Sequence, residues 1–194
     1  MRYLKLGINT LLLILFNVIV FSCGLNKDKP NISEFDVSSY LEKDRKKIYQ
    51  VSEIIDGDTY KIIIDKFEFK VRLIGVDTPE ASRSFKTKSD AKRKGVKSNQ
   101  IIEIGKIATL FLKNYISEGD SIRLELDIQK FDRYGRILAY VYLMNGEMIN
   151  EILLKEGYAQ VMTIPPNIKY QDKFMLLQQY AIENSKGLWS LNHY

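Results

Sequence analysis

The clearest alternation in the chain runs from Phe67 to Leu73. Phe67, Phe69, Val71 and Leu73 occupy one face, and Glu68, Lys70 and Arg72 the other. That period of two is the pattern of a half-buried β-strand. The flanking sequence extends it: Ile48–Ile55, Asp58–Asp65 and Phe67–Val76 predict a three-stranded meander. Its first turn lies over Ile55–Thr59, where glycine tolerates positive φ and aspartate bonds its own backbone. Further on, Ile101, Ile104, Ala108, Phe111 and Tyr115 recur at helical spacing before Glu118-Gly119-Asp120, with the aromatics read as core packing. Ser121–Gln129 and Arg136–Leu143 read as strands four and five, followed by a turn at Asn145-Gly146. A short helix over Asn150–Glu156 ends at Gly157, and a last one runs from about Asn167 to Lys186, with Tyr170, Phe174, Leu177 and Ala181 on one face.

Five strands with a helix inserted after the third predict an α+β fold, a five-stranded Greek-key barrel of the OB type, whose open face commonly takes nucleic acid. Ahead of it lies a different kind of sequence. Residues 1–23 carry two basic residues, Arg2 and Lys5, then an apolar run, the layout of an export signal. The alternative is an uncleaved anchor helix, although the run is short for a membrane span. Residues 24–47 are polar and read as a tether with a helical turn near Tyr40–Lys43, 48–190 as the folded domain, and 191–194 as a tail.

Composition narrows the chemistry. The single histidine, His193, stands next to the C-terminal residue, and the single cysteine is Cys23. Zinc fingers and paired-histidine ribonucleases need more than that. Acid–base work must fall to carboxylates, lysines or tyrosines. The formal charge is +5, of which two charges sit in the leader, so basicity matters through clustering. It clusters between Ser82 and Lys97: Arg83, Lys86, Lys88, Lys92, Arg93, Lys94 and Lys97 face a single acid, Asp90. We read this segment as a loop, either simply solvated or contributing to polyanion binding.

The stretch Val51–Glu80 concentrates charge in turns that interrupt apolar strands: Asp58 in DGDT, Arg72 in VRLIGV, Asp77 and Glu80 in DTPE. Turn chemistry accounts for DGD and for Pro79, but not for an arginine opposite the core face just before two acids. A hard divalent cation takes oxygen ligands, which Asp58, Asp77 and the Thr78 carbonyl could supply. Glu80 would then lie near the ion without having to bind it. FDRYGR reads as a turn between strands, from which Arg136 emerges where a barrel could bring it opposite Arg72. Two guanidiniums flanking one phosphate would strengthen their bonds as charge builds in the transition state.

IDGDTYKI, VRLIGVDTPE, FDRYGRILAYVYL, EILLKEGYA and the closing GLWS together resemble the staphylococcal nuclease family, in order and over roughly Ile48 to Ser190. The resemblance implies a calcium-dependent phosphodiesterase cleaving DNA and RNA to 3′-phosphates, on single-stranded or unpaired regions by preference and as a monomer without a protein partner. It implies metal ligation by Asp58, Asp77 and Thr78, catalysis by Arg72, Glu80 and Arg136, and substrate contacts by Arg133 and Tyr134. Where the family carries base-flanking tyrosines, this chain reads QVMTIPPN, with Thr163 and Pro165 at those places. VFSC-G resembles a bacterial lipobox, with Phe21 bulkier than the pattern prefers; acylation at Cys23 would tether the exported protein to a membrane in the cell envelope, the alternative being a secreted, extracellular protein. Two other classes remain open at this point, an inactive OB module that binds nucleic acid and a surface interaction lipoprotein.

Overall fold

A computed structural model describes residues 36–42 and 47–191. The leader, Cys23, most of the tether and His193 lie outside the described residues. Chain order is α1 (Val37–Glu42), β1 (Ile48–Ile54), β2 (Thr59–Ile64), β3 (Phe67–Leu73), β4 (Gly75–Asp77), α2 (Phe85–Lys94), α3 (Ser98–Leu112), β5 (Ser121–Glu125), β6 (Ile137–Leu143), α4 (Ile149–Lys155), β7 (Gln160–Met162), α5 (Gln171–Glu183) and a closing 3-10 turn, Gly187–Ser190.

The predicted meander forms and closes. Strands β1, β2, β3, β6 and β5 make a closed barrel in that order, antiparallel except for the β3–β6 pair. This is the five-stranded OB-type barrel expected from the alternation. The alternating side chains fill it: Tyr60, Ile62, Val71, Ile122, Ile137, Ala139 and Val141 have essentially no solvent exposure. Leu112 and Ile116, at and beyond the end of α3, belong to the same core cluster, and α1 contributes Leu41.

The differences from expectation have identifiable causes. The third strand stops at Leu73 rather than Val76, because the chain turns out of the barrel at Gly75, φ +75°, and β4 pairs with the short β7 instead. Asn150 holds that exit in place. Fully buried, it donates to the Ile74 carbonyl at 2.9 Å and accepts from the Val141 amide at 3.0 Å. The strand that begins at Ser121 ends at Glu125, not Gln129. Gln129 bonds the Asn167 side chain through both its amide and its carbonyl, each at 2.8 Å, which also keeps Asn167 outside α5. Finally, the segment read as a loop is helical. Ser84 caps α2 through a reciprocal pair of bonds with Thr87, and Gly95 closes it at φ +68°. Lysine, arginine and alanine sustain a helix well; what this one lacks is an apolar stripe.

Candidate active site

Asp56, Asp58, Arg72, Asp77 and Glu80 meet Asp132, Arg133 and Arg136 in a cavity of about 540 Å³ on the outside of the barrel. Register explains how. Thr59 on β2 stands opposite Arg72 on β3, and Arg72 opposite Leu138 on β6. Arg72 therefore lies between the turn that precedes β2 and the turn that precedes β6. The exit through β4 then carries Asp77 and Thr78 back over it.

Asp58 is 4% exposed and saturated with partners. One carboxylate oxygen pairs with the Arg72 guanidinium and accepts from the Thr59 hydroxyl. The other accepts from the Thr78 amide at 2.7 Å and the Thr78 hydroxyl at 2.9 Å. Gly57 serves that approach, since a Cβ there would meet the Thr78 side chain at 2.9 Å. Its φ is not in the positive region, so close contact, and not the turn freedom expected from DGD, is what calls for glycine here. Arg72 also donates to Asp77 Oδ1 at 2.7 Å. Burial lowers the pKa of its guanidinium, Asp77 and Asp56 hold it up, and the nearby Arg136 pushes it down. The two arginines line the same cavity.

Lys86 enters from the first turn of α2. Its ammonium lies 2.8 Å from Asp77 Oδ1, 3.0 Å from the Thr78 carbonyl and 3.2 Å from Glu80 Oε1. Glu80 owes its position to α3, which packs its backbone onto the Pro79–Glu80 turn. A Cβ on Gly105 would fall 2.3 Å from the Glu80 carbonyl oxygen. On the opposite wall, Arg136 is fixed by Asp132, which accepts from its Nε at 2.7 Å and its amide at 3.0 Å. Burial works against the charged form of Asp132, yet the bonds from Arg136 and Tyr134 leave its carboxyl below the usual range.

The structure brings together Asp58, Arg72, Asp77, Glu80, Arg133 and Arg136 in the cavity lining, with Thr78 bound to Asp58 beneath. Tyr134 is not part of that lining. It is 68% exposed, with Arg133 donating to its hydroxyl at 2.6 Å and the Arg136 guanidinium 5.6 Å from its ring. Thr163 is half-buried and also outside the lining, whereas its neighbours Met162 and Ile164 face the cavity, so the wall is aliphatic there. Two residues escaped the sequence reading. Asp56 lines the cavity, with its pKa raised by burial against the pull of Arg72 and Lys86; as the first aspartate of DGD it has a sufficient local role in turn chemistry. Lys86 stood in a dense charge run with nothing to single it out.

Among the described residues, no cluster of three or more His, Cys, Asp and Glu side chains is arranged around a metal position. The donor chemistry nevertheless fits a hard cation: two carboxylate oxygens and one main-chain carbonyl converge on a positive charge, and every donor is oxygen. Asp58 is one hydrogen bond away, on Thr78.

A model of the family described as staphylococcal nuclease homologue matches residues 70–191, from β3 to the closing turn. The chain belongs to the staphylococcal nuclease family. Relatives within reach are a thermonuclease of Staphylococcus hyicus, 39% identical over 154 residues, covering 79% of this chain and 82% of the relative. A thermonuclease of Staphylococcus intermedius is 36% identical over 95% of this chain and 98% of its own length. Endonuclease YncB of Bacillus subtilis is 35% identical over 84% and 72%. The family match spans Arg72, Asp77, Thr78, Glu80, Arg133, Tyr134 and Arg136, so the cavity described here is largely built from family sequence.

Proposed function

We propose that the protein is a nuclease that hydrolyses phosphodiester bonds of DNA and RNA with calcium, leaving 3′-phosphates. Membership of a family whose relatives are named thermonucleases and endonucleases supports the nuclease reading. The observation that carries it is the pair of guanidiniums, Arg72 held by Asp77 and Arg136 held by Asp132, lining one cavity with the Asp58, Asp77 and Glu80 carboxylates.

A phosphodiester resists attack because its anion repels the nucleophile and nothing stabilises the phosphorane. Arg72 and Arg136 answer the second difficulty. Each is already held by a carboxylate, so their orientation costs little at the moment of reaction, and their bonds to phosphate oxygens strengthen as charge accumulates. Glu80 accepts the proton of the attacking water. A new P–O bond forms, the bond to the 5′-oxygen breaks, and that oxygen takes a proton from solvent and leaves as the 5′-hydroxyl. Asp58, Asp77 and the Thr78 carbonyl would hold calcium, which when bound polarises the phosphate and eases deprotonation of water. Arg133 contacts substrate phosphate, and Tyr134 lies beside the nucleotide. The aliphatic wall of Met162 and Ile164 offers contact area without a ring to stack on, which weakens base preference.

The direct test incubates single-stranded DNA and RNA with the purified protein, with calcium or with chelator, and identifies the new ends. Calcium-dependent cleavage of both to 3′-phosphates is expected. Binding without cleavage would favour an inactive OB module instead.

A further inference from the structure

Helix α2 begins with an arrangement that helix stability does not explain. Its first turn contains no acid and places Lys86 next to the helix N-terminus, where the macrodipole disfavours a cation. The cap is nonetheless firmly built. Ser84 and Thr87 bond reciprocally, Thr87 also donates to the Ser82 carbonyl at 2.7 Å, and the Thr87 side chain is fully buried. The helix start is therefore fixed against the domain, and it delivers Lys86 to Asp77, Thr78 and Glu80. Its ammonium donates to Asp77 Oδ1 at 2.8 Å and to the Thr78 carbonyl at 3.0 Å, and pairs with Glu80 Oε1 at 3.2 Å.

We propose that Lys86 is a built-in competitor of the divalent ion: its ammonium occupies two of the oxygens the ion would use, Asp77 Oδ1 and the Thr78 carbonyl, and the two cations exclude each other. The inference rests on the calcium reading given above and adds to it a residue that lowers the site's affinity. Calcium needs its oxygens at about 2.3–2.6 Å. An ammonium already bonded to those oxygens would stand within a few ångströms of the ion in a partly buried site, where like charges repel strongly. Binding must then drive Lys86 out. Its side chain is 31% exposed, so it has a path to solvent or to the incoming phosphate. Without metal, the lysine neutralises carboxylates that would otherwise repel one another and loosen the Asp77–Glu80 turn. With metal and substrate present, the same charge is released at the mouth of the cavity that receives the polyanion.

The test titrates calcium chloride alone, by isothermal calorimetry, into the full chain and its Lys86→Met and Lys86→Arg variants. Lys86→Met keeps much of the side-chain length and removes the charge. It should bind calcium about 1.5- to 5-fold more tightly, the range expected for losing a competing, partly exposed ion pair. Lys86→Arg should stay near the wild type. In chelator, Lys86→Met should melt below the wild type, and saturating calcium should raise its Tm by more than it raises the wild type's. Lys86→Gln carries the same expectations should the methionine variant fold poorly. Calcium binding in the wild type with equal or weaker binding in the neutral variants overturns the competitor role and leaves the calcium reading standing. No calcium binding in any of the proteins overturns both.

Discussion

Single residues in the cavity are assigned separable tasks. Asp58 ties Arg72 to Thr78 and, under the proposed function, would give calcium an anionic oxygen. Asp58→Asn should therefore weaken calcium binding, because a neutral amide replaces a charged ligand. Glu80→Gln should leave affinity nearly intact and lower kcat by about 10²–10⁴-fold, as for loss of a positioned general base. Calcium titration in the presence of a nucleotide product analogue, then kcat at saturating metal, reads both effects. Equal loss of affinity in the two variants would make Glu80 a ligand. The structure gives that outcome a basis, since Glu80 shares the Lys86 ammonium with Asp77 and Thr78. At this scale the sequence was informative where a charge had no local reason to be present, as at Arg72. It was uninformative where a plausible local role concealed another: Asp56 reads as a turn residue, and Lys86 as one of seven basic residues around one acid.

Elements decide whether those side chains meet. The barrel was readable because its strands alternate and because Asp65-Lys66 makes the tight turn that sets the β2–β3 register. The three-residue strands β4 and β7 were not, since a pair that short leaves no periodicity to detect. Helix α2 was missed for a different reason, its want of an apolar face, although Ser84 with Thr87 and the later Gly95 were legible as a start and a stop. Nothing in the stripe of α3 marked Gly105, yet that residue lets the helix rest on the turn bearing Glu80. Gly105→Val should destabilise the fold by about 1–3 kcal/mol through overpacking, and should lower kcat more than it raises KM because Glu80 is displaced. Urea unfolding and steady-state kinetics measure the two. A variant that loses stability but keeps full kcat would show that Glu80 does not depend on this contact.

For the whole molecule, the leader and lipobox-like VFSC form a proposal about place: export, with acylation of Cys23 tethering the nuclease at a membrane in the cell envelope. Labelling with a radioactive fatty acid and detergent partitioning test it, and both should be lost in Cys23→Ala; label and partitioning unchanged in that variant would refute acylation there. The register of the barrel itself brings Arg72 and Arg136 into one cavity. Arg136→Lys keeps the positive charge and removes the planar, bidentate donor set. The most direct measurement is therefore kcat on a labelled single-stranded oligonucleotide at saturating calcium, for the wild type and Arg136→Lys, with unfolding curves confirming that both are folded. The account predicts a fall in kcat of about 10²–10³-fold, the range for losing one preorganised donor to the transition state, and a much smaller change in KM. Wild-type kcat in the lysine variant would contradict it.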